Sequence, residues 1–176
     1  MHTESKTALE IDNQDLVPWL SAIGLITLMW SPIERYIDQS VHIIYSYLGG
    51  KDICRKKPRM LTAKLEFLEK CHNQIDVLKV NYEHIKNLKL ATLEVCQIRD
   101  VCVHGWVESW NNQQIQIGKY AKSEKHVKEI FTIDGNRLNN STKNMATLSE
   151  KWLGIVSCLE VYLQKVNPEI FEETKN

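Results

Sequence analysis

Apolar residues in this chain recur at helical spacing up to His104, alternate at strand spacing from Trp106, and return to helical spacing by Met145. A helix puts every third or fourth residue on one face and a strand every second, so the switch predicts long helices joined through a short β segment. Leu88, Ala91, Val95, Ile98 and Cys102 form the seam of a helix over Tyr82–His104, which Gly105 stops. Met145, Leu148, Trp152, Ile155, Leu159, Tyr162 and Val166 form the seam of a final helix. Asn139, Asn140 or Ser141 can cap its start, and Asn167-Pro168 closes it.

Two helices precede these. The first is predicted from about Val17 to Leu48, with Pro18 in its first turn, Pro32 kinking or dividing it, and Gly49-Gly50 ending it. The second follows Leu61, Leu65, Leu68, Ile75 and Leu78. Between them, Lys51–Arg59 is a basic loop with five of the 22 basic residues against one acid. In the β segment, Trp106–Trp110 and Ile115–Ile117 read as a hairpin about Asn111-Asn112-Gln113, with Trp106 and Trp110 on one face packing on the bundle. His126–Ile133 reads as a third strand, stopped by Asp134-Gly135-Asn136. The expected fold is mainly α, a four-helix bundle in a single domain over residues 1–176. A small antiparallel β insertion lies at about 106–135, between the third and fourth helices.

Twenty-two acidic residues balance 22 basic ones, so no global charge draws nucleic acid, and such a partner must be met by a local patch. Five cysteines, an odd number without Cys-x-x-Cys spacing, suit a reduced, cytoplasmic protein. Met1–Asp15 carries four acidic groups, unlike the basic start of a signal peptide. The apolar run Leu16–Trp30 is cut by Ser31-Pro32-Ile33-Glu34-Arg35 short of the roughly 20 residues a membrane span needs, so no membrane contact is expected. Cys71-His72 and Cys102-x-His104 lack further ligands at metal spacing, and no phosphate-binding glycine loop appears, so neither a metal nor a cofactor is expected.

Chemistry concentrates in Arg99-Asp100-Val101-Cys102-Val103-His104-Gly105. Asp100 and His104 share a helix face, while Arg99 and His104 lie roughly 140° apart, so one helix cannot close both around a small atom. A phosphate across the helix end, or a second copy of the motif, could be held by both. Arg99 can grip two phosphate oxygens in a fork, and an imidazole titrates near neutrality. Asp100 could fix the imidazole tautomer or raise its pKa. The bland reading is that Arg99 forms a salt bridge and His104 caps the helix end. Leu90, Leu93 and Val101, grouped with Gln97, Asp100 and His104, give this helix a second, partly apolar face that suits an interface with another chain.

The Arg99-Asp100-x-x-x-His104-Gly105 pattern resembles the HEPN ribonuclease superfamily. The likeness extends to a first helix carrying Trp30, Ser31 and Glu34 ahead of a Pro-initiated second helix, and covers about Val17–Gly105 and Ser141–Val166. It implies a homodimer whose two motifs meet and cleave RNA without a metal, through Arg99 and His104 with Asp100 in support. It also implies a toxin or host-defence role, with a cognate antitoxin or regulatory protein as an expected partner. Lys56, Lys57 and Arg59 are candidate RNA contacts, and Glu34 either meets the Arg99 site or faces water. The alternative is a non-catalytic dimerisation or binding module of the same fold.

Overall fold

The computed structural model describes residues 16–121 and 127–169. The readings of Met1–Asp15 and of a strand start at His126 fall outside them. The elements are α1 (Val17–Tyr47), α2 (Gly50–Ile53), α3 (Leu61–Gln74), a 3-10 segment (Asp76–Asn81), α4 (Tyr82–His104), β1 (Trp106–Trp110), β2 (Gln114–Tyr120), β3 (Lys128–Asp134) and α5 (Gly135–Val166). The protein is mainly helical, with a three-stranded antiparallel sheet in the order β1-β2-β3 between α4 and α5.

The core forms where α1 lies along α5, α1 also meets α3 and α4, and α4 packs on both α3 and α5. Ile26, Ile33, Ile37 and Ile44 of α1, Leu65 and Leu68 of α3, Ile85 of α4, and Met145 and Trp152 of α5 are fully buried in it. The sheet adds Ile115, Ile117 and Ile133, so its inner face continues the helical core.

Several local expectations are corrected. Pro32 does not divide α1, which runs through it. The ring removes only the bond to the Leu28 carbonyl, and Leu28 is exposed, so water can satisfy that oxygen. The undivided helix is long and apolar enough to cross a membrane by length and composition, while Trp19, Ile26, Trp30, Ile33 and Ile37 are buried within the protein. Gly49, at φ 84°, ends α1, but Gly50 opens the one-turn α2, so the basic segment is helical as far as Ile53. The second helix ends at Gln74, and Leu78 reaches the core from the 3-10 segment instead.

Asp134 caps α5 by accepting from the Arg137 N–H at 2.7 Å, so the helix starts directly after β3, ahead of Asn139, Asn140 and Ser141. Its stripe drifts in the last turn, where Leu163 is buried and Val166 exposed. In α4 the buried residues are Ile85, Leu88, Thr92, Val95 and Val101. Val101 therefore belongs to the core and not to an outward face. A bulge between Val107 and Ser109 pairs Trp106 with Gly118 and Trp110 with Ile115. Those partners lie an odd number of residues apart, which puts the two tryptophans on opposite faces of the sheet.

Candidate active-site cleft

Leu93, Gln97, Asp100 and His104 follow one another on α4 at helical steps and form one wall of an open cleft of about 580 Å³. Trp30 and Glu34 of α1 form another wall, and Arg59, Met60, Leu61 and Thr62 at the start of α3 form the third. Arg99 lines the same space despite its different helical angle, because its long side chain reaches around the helix. Five residues singled out in the sequence, Arg99, Asp100, His104, Glu34 and Arg59, are thus brought together from three elements.

Arg99 is about one-fifth exposed, and its Nη1 donates to Asp100 Oδ1 at 3.2 Å. Its Nε is buried with no hydrogen-bond partner among the described residues. A buried guanidinium donor normally has a partner, so the group is left with bonding capacity. Asp100 also lies 3.9 Å from the Cys96 thiol, which lines the cleft with it. The carboxylate therefore orients Arg99. His104 is exposed at the last turn of α4.

Gly105 follows His104 with an extended backbone, not the left-handed one of a glycine stop. A Cβ there would collide with the Ile117 side chain, the Val101 carbonyl and the Gly118 carbonyl. The glycine lets β2 press against the end of α4, and this packing supports the turn that carries His104.

Lys56 and Lys57 are not in this cleft. They line a neighbouring groove of about 1040 Å³ with Arg55, Arg59, Lys64, Asp38, Tyr45 and Pro58. Arg59 borders both spaces, so the two adjoin at that residue. The groove is held by a Tyr45 hydroxyl donating to the Arg55 carbonyl at 2.9 Å and by Lys57 Nζ lying 3.3 Å from His42 Nδ1. Asp38 is neutralised by Lys64, which leaves the surplus charge positive.

Sequence reasoning missed Thr62, Met60 and Cys96 as cleft residues. Cys96 had a readable signal, four residues before Asp100; Met60 and Thr62 had none, because only the packing of α3 against α4 brings them in. Among the described residues, no three His, Cys, Asp or Glu side chains group as metal ligands. Cys71 and Cys102 are pushed up to about 12 and about 11 by burial, far from the range of a reactive thiolate. No protein-family model, curated protein or solved structure matches this chain.

Proposed function

We propose that this protein is a metal-independent endoribonuclease of the HEPN type, acting as a homodimer. The observation that carries the reading is the shared cleft, in which a fixed cation, an exposed imidazole and two carboxylates meet. In the proposed reaction, the RNA 2′-hydroxyl loses its proton and its oxygen bonds to phosphorus. The bond from phosphorus to the 5′-oxygen breaks, and that oxygen takes a proton. Arg99 holds the phosphate oxygens and stabilises the charge that builds on them, with its fork oriented by Asp100. His104 handles one proton, and a second copy of the chain supplies another His104 for the other. Arg59 and the adjoining Lys56 and Lys57 take flanking phosphates.

Two observations favour a second reading, a non-catalytic binding module of the same fold. Arg99 already pairs with its own neighbour, and each protomer's cleft is lined by a single imidazole. RNA cleavage in EDTA by wild-type protein and by His104→Ala separates the two. The ribonuclease leaves a 2′,3′-cyclic phosphate, spares DNA and 2′-O-methyl RNA, and loses activity in His104→Ala. Equal cleavage by both proteins, or a requirement for Mg²⁺, overturns it.

A further inference from the structure

The outer face of the sheet carries an aromatic pair that the core does not use. Trp106 and Tyr120 have ring centroids 5.0 Å apart at an interplanar angle of 48°. Tyr120 is 58% exposed and Trp106 36%, and Ile130 beside them is 55% exposed. Register places these side chains together, since Trp106 pairs with Gly118, Gly118 with Ile130, and Tyr120 with Lys128.

The pair is held in place. A Cβ on Gly118 would come within 2.7 Å of the Trp106 ring, so the indole packs close against the backbone of β2 and glycine makes room for it. Glu108, in the β1 bulge, accepts from Trp106 Nε1 and pairs with Lys128 at 2.7 Å. Lys128 Nζ in turn stands 5.9 Å from the Trp106 ring centroid. The indole's one donor is satisfied, its orientation is fixed, and what remains open is apolar π surface beside a cation.

We infer that the Trp106–Tyr120 face is a stacking platform for unpaired bases of an RNA strand whose phosphate lies at the Arg99–His104 cleft. This rests on the ribonuclease reading for the identity of the strand. Trp106 is two residues beyond His104, so its Cα lies within about 7 Å of that of His104, a distance adjacent nucleotides bridge. A planar base adds to an ordered aromatic pair at little entropic cost, and bases offer such faces only when unpaired. The β insertion thus has a task the helical motif cannot perform, gripping the strand through its bases while the basic groove grips its phosphates.

The test is binding of a fluorescently labelled, uncleavable 2′-O-methyl decanucleotide, followed by anisotropy. Trp106→Ala and Tyr120→Ala are each expected to weaken it about 5- to 150-fold, and Trp106→Phe to retain most of the affinity. All variants are checked for a wild-type circular dichroism spectrum. Unchanged affinity in both alanine variants, a loss in Trp106→Phe as large as in Trp106→Ala, or no binding by wild type overturns the platform. Cleavage of unmodified RNA by wild type and His104→Ala, run alongside, judges the other reading. Cleavage lost in His104→Ala with binding intact in both alanine variants sinks the platform alone. Platform-dependent binding without any cleavage sinks the ribonuclease alone.

Discussion

The indole of Trp152 in α5 donates to the hydroxyl of Thr92 in α4 at 3.0 Å, and Thr92 donates onward to the Leu88 carbonyl at 2.6 Å. Both residues are fully buried. This polar chain fixes the rotation of α4 against α5, and with it the face on which Arg99, Asp100 and His104 emerge.

Thr92→Val keeps the shape but strands the indole N–H, so it should cost about 1–3 kcal/mol of stability. Urea unfolding measures this, and a change below about 0.5 kcal/mol would show that the bond contributes little.

Arg99→Lys keeps the charge and loses the fork. It should lower the cleavage rate about 10²-fold, with Arg99→Ala lower still, while both retain a cooperative thermal transition. Equal rates in Arg99→Lys and wild type would mean that the group acts as a point charge only.

Replacing Lys56, Lys57 and Arg59 together by Gln should weaken RNA binding and flatten its salt dependence, because fewer counterions are released. Lys56 and Lys57 lie in the groove beside the cleft. A variant changing only Arg59, which borders both spaces, should affect the cleavage step more than one changing only the two lysines. Salt titrations and single-turnover rates distinguish the two contributions.

Leu90 is 60% exposed on α4, whereas Leu93 is half-buried against the core, so Leu90→Arg is the cleaner probe of the proposed dimer. It should shift sedimentation from dimer to monomer and leave the fold intact. Wild-type protein that sediments as a monomer at micromolar concentration would remove the composite site.

Burial holds the His72 imidazole below its ordinary value of 6.5, and its Nδ1 lies 2.7 Å from the Leu68 carbonyl. The folded state therefore binds fewer protons than the unfolded one. The stability His72 permits is complete above about pH 6.5 and falls as pH drops from there toward the lower folded value. His72→Gln should flatten the change in urea midpoint between about pH 7.5 and pH 5.5; an unaltered slope would assign the acid sensitivity to other groups.

The helices, the strand segment and the limits of α4 were legible in the sequence, because periods of 3.6 and 2 are local properties of the chain. The spacing of Leu93, Gln97, Asp100 and His104 likewise marked one wall of the cleft. Capping and faces were less legible. Asp134 outcompeted three later candidates because β3 delivers the chain directly to it, and a single bulged residue sent Trp106 and Trp110 to opposite sides. Pro32 stayed inside α1 because packing along that helix outweighs one missing bond whose carbonyl faces water. Only the tertiary structure decided that Glu34, Arg59 and Arg99, separated by as many as 65 positions, share one space, and that Val101 faces inward. Periodicity gives each helix its apolar face but not the neighbour against which that face packs, and the cleft is the gap left where three such faces meet.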